Sequence, residues 1–152
     1  FAAMTAEKLR EQHSVCSRLT VFAATNRFHS EDIQQCGHIT IPMLEPTDST
    51  LDIVHAAREA LAEIFVRGAG YKKAGVIASE IIPSDCRHVS MFAAEHNERH
   101  SRLMKTIDNI NRITEGRGVS LASEGISEIK SNSQHRSPRY TTSWDEIPEV
   151  KL

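Results

Sequence analysis

Lys72 and Lys73 stand side by side at the head of a run of small and β-branched residues, and each ammonium group can neutralise a phosphate oxygen. A pair of lysines alone gives weak, salt-sensitive binding, because each phosphate contact adds only about 0.9 to the salt slope. Eight histidines invite a metal reading. His96 and His100 share a helix face at i, i+4, and Cys36-x-His38 and Cys86-x-His88 add loose pairs. No Glu follows His96 directly and no third ligand is evident, whereas structural zinc needs four convergent donors, so no metal site is expected. No Gly-x-Ser-x-Gly elbow occurs, and Cys16, Cys36 and Cys86 lack a local context that would activate a thiol. No catalytic residue is expected.

These residues must be placed by the elements that carry them. Ala6 to Val15 is rich in helix formers and runs into the alternating stretch Arg18 to Thr25, which reads as helix, then strand. A polar, turn-like segment from Asn26 to Gly37 leads to a short β-branched run, His38 to Pro42, whose proline should end it. Ser49 with Asp52 three residues on has capping-box-like spacing. Leu51, Val54, Leu61 and Phe65 then follow at helical intervals, predicting a helix over 50–67 closed by Gly68. Tyr71 to Ala78 reads as a strand, broken by Pro83. A further amphipathic helix spans about Glu95 to Ile113, with Leu103, Ile107 and Ile110 on one stripe. Beyond Gly116 large apolar residues are sparse, and Ser131 to Thr142 is polar, basic and loop-like.

The order predicts an α+β fold: an antiparallel sheet with two helices on one face, followed by an amphipathic helix and an extended tail. At 152 residues the chain suits one domain with a tail, divided here into 1–92 and 93–152. Its 18 Lys+Arg and 20 Asp+Glu give a net charge of -2, and neither part is a basic block, so any contact with nucleic acid must use a local cluster of cations. No apolar run approaches a membrane span, and the first residues do not read as a basic-then-apolar leader, so secretion is not expected. Three cysteines, an odd number at wide spacing, suit reduced thiols in the cytoplasm. The chain begins at Phe1, inside a helical pattern and without an initiator Met, so an upstream element is expected.

Four stretches carry a resemblance: Arg18 to Thr25, Lys72 to Val76, Val89 to Phe92, and above all Ser137-Pro138-Arg139-Tyr140-Thr141-Thr142-Ser143-Trp144-Asp145-Glu146-Ile147-Pro148. Together they resemble the C-terminal part of the UmuC family, whose parent is the catalytic subunit of DNA polymerase V, a Y-family translesion polymerase of the SOS response. The resemblance implies that residues 1–92 correspond to the little finger, the domain that grips primer-template DNA, lacking its first strand. That strand is expected to be internal, so its loss should leave an open flank and a marginal fold, or one completed by another chain.

By the same resemblance, Lys72 and Lys73 face the duplex, with Arg18, Thr25 and Asn26 as further DNA contacts. Ala24 and Arg27 depart from the family, which commonly has Arg and Pro there. His88-Val89-Ser90-Met91-Phe92 aligns with the family's sliding-clamp peptide: Met91 and Phe92 keep the anchors, while His88 replaces a Gln. The alternative is that Val89, Met91 and Phe92 seal the sheet edge. The tail, with Tyr140 and Trp144 as anchors, is associated with the processed UmuD subunit and the RecA filament. The metal-binding carboxylates and magnesium of the parent polymerase belong to its palm, so this portion should hold no cofactor and transfer no nucleotide alone. Ser143-Trp144-Asp145-Glu146 echoes a palm motif but lacks a second acidic strand, and reads as a solvated turn. A competing reading is a stand-alone, non-catalytic protein-interaction module, the remnant of a broken polymerase gene.

Overall fold

A computed structural model describes residues 1–28, 31, 33–86, 94–114, 118–125, 137–139, 141–143 and 146, with side chains in the last long helix described from Arg99 onward. Helix α1 spans Ala2–Glu11, with basic residues Lys8 and Arg10 in its last turn, where they complement the helix dipole. It ends earlier than its helix formers suggest. His13 adopts a left-handed φ of 51°, which turns the chain directly into strand β1, Ser14–Thr25.

Strand β2, Cys36–Thr47, runs five residues past Pro42, where the sequence pattern predicted its end. The reason lies in the topology. The sheet order is β2-β1-β3, so β2 is an edge strand, and a proline there withholds no donor from a second neighbour. Strand β3, Tyr71–Pro83, is the other edge. Both pairings are antiparallel and β1 is central. The three described strands pair continuously, so the flank expected to be open, if present, is one of the outer edges formed by β2 and β3.

Helix α2, Thr50–Ile64, starts where the sequence placed it, with Ser49 as N-cap accepting from the Asp52 amide at 3.5 Å. The Asp52 carboxylate instead accepts from the Thr47 hydroxyl at 3.1 Å, so the anticipated reciprocal cap becomes a Thr47-Asp52 clasp. The helix ends before Gly68 because Phe65 turns extended and its ring stacks on Tyr71 at 5.5 Å. The Tyr71 hydroxyl accepts from the Val66 amide at 2.8 Å, satisfying a backbone group the helix has released.

One face of the sheet meets α1 and α2. Leu19 and Val21 of β1 pack with Ala6 and Leu9 of α1 and with Ile53, Ala56, Ala57 and Ala60 of α2. Three alanines on the inner face of α2 let the helix approach the sheet closely, while full burial of Leu19 and Ile53 stabilises the fold by roughly 1.5–3 kcal/mol each.

Helix α3, Ala94–Ile113, belongs to the same compact unit, which runs from Phe1 to Ser120 and so past the division expected after Phe92. Its most buried described residue is Met104, 2% exposed, whereas Leu103 and Ile110 from the predicted stripe are exposed. Arg10 accounts for the difference. Its guanidinium donates to both carboxylate oxygens of Asp108, at 2.6 and 2.8 Å, and to the Asp48 carbonyl and the Thr50 hydroxyl at 2.8 and 2.9 Å. The positions nearest α1 and α2 are thus His100, Met104 and Asp108, one helical turn apart. No helix among the described residues is long and apolar enough to cross a membrane.

The second unit comprises Leu121–Leu152. In its described part the Arg139 guanidinium holds the Glu146 carboxylate at 3.0 Å, and the Thr142 and Ser143 amides donate to the Arg139 carbonyl. Glu146 of the acidic pair is committed to this local turn. Tyr140 and Trp144 lie outside the described residues.

Candidate nucleic-acid interface

Side chains alternate across a strand, so burying Leu19, Val21 and Ala23 of β1 against the helices sends Arg18, Thr20, Phe22 and Ala24 to the opposite face. Register then fixes their neighbours. Arg18 lies between Pro42 and Ser79, Thr20 between Thr40 and Ile77, Phe22 between His38 and Gly75, and Ala24 between Cys36 and Lys73. His38, Thr40, Pro42, Lys73 and Ile77 are exposed, so this face is open among the described residues. Two contacts organise it. The Thr20 and Thr40 hydroxyls hydrogen-bond across the strands at 2.8 Å. A Cβ placed on Gly75 would lie 2.5 Å from Cε1 and Cζ of Phe22, so the Phe22 ring leans along the sheet over the space the glycine leaves.

Arg18 lies on this face, where its Nε bonds Glu80 at 2.7 Å, with both side chains about half exposed (52% and 56%). An exposed pair of this kind contributes only about 0–1 kcal/mol and is readily exchanged for another anion. Glu80 adopts a left-handed φ of 52° beside the irregular register between Cys16 and Arg18. Lys73 pairs with Ala24, and Lys72 is the extra residue of a bulge, since the next pairing joins Thr25 to Tyr71. Both lysines are exposed.

Thr25 departs from its expected role as a DNA contact. It is 6% exposed, and its hydroxyl accepts from the Gln35 amide at 2.9 Å and donates to the Gln35 carbonyl at 3.2 Å, closing the β1–β2 loop. Its position at the end of an inward-facing row withdraws it from solvent. Asn26 caps the adjacent turn, its side-chain oxygen accepting from the Phe28 amide at 3.3 Å. The sequence therefore marked Arg18 and Lys73, which the sheet places on one face six residues apart along β1, with Lys72 beside Lys73 in the bulge, and missed Phe22, His38, Thr40 and Gly75. Alternation from Arg18 to Ala24 already carried half of that row. The partners contributed by β2 and β3 required the register.

The remaining candidates separate. His100 Nδ1 lies 3.3 Å from the Ser49 hydroxyl and 3.6 Å from the Asp52 carboxylate, which makes it a tie between α3 and the start of α2. Both groups meet the same ring nitrogen, which is not the geometry of a nucleophile relay. Cys16 is buried, with its thiol 3.6 Å from the Thr47 carbonyl, and burial pushes it up to about 11, while Cys36 and Cys86 are exposed. Among the described residues no three of His, Cys, Asp and Glu converge on one point. His88, Val89, Ser90, Met91 and Phe92 lie outside the described residues.

A three-stranded antiparallel sheet, covered by two helices on one face and bearing cations on the other, defines an α+β module built to present a sheet surface. The impB/mucB/samB family C-terminal domain matches residues 1–91, and the chain belongs to this family. A second match, to a domain of unknown function, DUF4113, covers residues 101–150. Protein SamB of Salmonella typhimurium is 34% identical over 99% of this chain and 36% of its own length. Protein UmuC of Salmonella typhimurium strain LT2 is 30% identical over 99% of the chain and 36% of its length, and protein MucB of Escherichia coli 32% over 97% and 35%. The chain thus spans about a third of the length of these relatives.

Proposed function

We propose that this chain is the DNA-holding and partner-holding C-terminal portion of an error-prone Y-family translesion DNA polymerase that acts in DNA repair and SOS mutagenesis in the cytoplasm. One observation carries the reading: in a chain of the impB/mucB/samB family, the sheet face opposite the core is open among the described residues of its unit and carries Arg18 and Lys73, with Lys72 beside it. Residues of this kind bind phosphate oxygens and position a protein without reading sequence. In this reading the chain holds primer-template DNA, and nucleotide transfer, with its magnesium ions, belongs to the palm of the parent enzyme. His88 to Phe92 engages the sliding clamp. The tail, through Tyr140 and Trp144, engages a processed UmuD subunit and the RecA filament.

The test is titration of primer-template DNA at several salt concentrations with the wild-type chain and a Lys72→Ala/Lys73→Ala variant. The expected result is salt-sensitive binding whose log-log slope falls by about 1.8 in the variant, about 0.9 for each phosphate that is no longer neutralised. A folded chain that binds no DNA would overturn the DNA-holding role and leave an interaction module.

A further inference from the structure

Phe22 occupies the middle of the open sheet face, and phosphate contacts give it no task. Phenylalanine belongs in a core, yet alternation places it opposite one, between the exposed His38 and Gly75. Glycine weakens a strand interior, but here its missing side chain is what allows the ring to lean along the sheet, since a Cβ would fall 2.5 Å from two ring carbons. Phe22 is half-buried, so part of its ring stays open to a visitor. On one side of it stands the Thr20–Thr40 hydroxyl pair. On the other, two residue pairs along and next on the same face, stands Lys73.

We propose that Phe22 is a stacking platform for the unpaired bases of single-stranded DNA, with the His38 imidazole as a second ring and Lys73 on the adjoining phosphate. The proposal rests on the reading of this face as a DNA interface and refines its ligand. Bases within a duplex are stacked on one another and offer no free face, whereas an unpaired base can lie on an aromatic side chain irrespective of its identity. Aromatic rings beside a cation on an open sheet are the combination that holds single strands. The wide hydroxyl and glycine surroundings leave room for the sugar and put no carboxylate beside Phe22 in its cross-strand row.

The experiment uses the whole chain, with a single-stranded oligonucleotide carrying one 2-aminopurine and a blunt duplex of the same sequence. Stacking predicts a change in 2-aminopurine fluorescence on binding of the single strand. Phe22→Leu should lower the ratio of single-strand to duplex affinity by about tenfold, and Phe22→Tyr should restore it. Binding of the single strand without a fluorescence change, or an unaltered ratio in Phe22→Leu, would overturn the platform while leaving the DNA-holding role intact. If neither nucleic acid binds, both readings fall together. The wild-type fluorescence and the Tyr variant decide the matter even if the Leu variant is unfolded, and an apolar partner protein captured by the ring would leave both DNA signals absent.

Discussion

Cys16 shows how one residue reports the packing around it. Its thiol sits in the core cluster, pushed up to about 11 from an ordinary value of 9.0, chiefly because burial disfavours the thiolate. A pKa raised in the folded state means that the folded chain holds a proton the unfolded chain has lost between these two values. The resulting stability is fully present below about pH 9 and is lost as pH rises through about 11. Denaturant unfolding between pH 8 and 11 should therefore show falling stability, and Cys16→Ala should remove that part of the slope. With a thiol reagent in native buffer, Cys36 and Cys86 should react and Cys16 only after unfolding. Three equal reaction rates would mean that β1 does not shield its thiol. The sequence marked all three as free thiols, but which one is hidden follows from the place of Cys16 in the core cluster with α1 and α2.

At the scale of elements, the joint between α3 and the rest of its unit depends on Arg10. One guanidinium satisfies a carboxylate on α3, a carbonyl before α2 and a hydroxyl at its start, with its side chain only 12% exposed. Asp108→Ala should cost about 1–3 kcal/mol, because it leaves a largely buried charge with only neutral acceptors. Arg10→Lys should cost a similar amount, since an ammonium cannot reproduce the two-pronged contact. Urea denaturation of both variants and of the double variant checks this; simple additivity of the two losses would show that the pair is not coupled. The orientation of α3 was not legible beforehand. Its apolar stripe of Leu103, Ile107 and Ile110 is the natural choice by periodicity, and a charged residue on another helix overruled it.

For the whole molecule, the family matches divide the chain between residues 91 and 101, whereas the compact unit continues to Ser120. Helix α3 bridges that division, with Met104 buried and Asp108 and His100 tied to earlier elements. A fragment of residues 1–92 should accordingly be less stable than one of residues 1–120, by roughly 2–5 kcal/mol if only the loss of the Met104 side chain is counted. Thermal or urea unfolding of the two fragments measures this. Equal stability would show that α3 rests on the first unit without supporting it.

Local physics made the elements readable: the capping serine before α2, the alternation of β1 and the helix formers of α1 each act over a few residues, so the sequence by itself determined which elements form and that the fold is α+β. It also determined the cations, Arg18, Lys72 and Lys73. What only the tertiary structure decided is what stands beside what. The extension of β2 through Pro42 depends on its being an edge strand, the withdrawal of Thr25 depends on Gln35, and the row of His38, Phe22 and Gly75 depends on two strand registers. Register and layer order arise from contacts far apart in the chain, and short-range spacing carries no record of them.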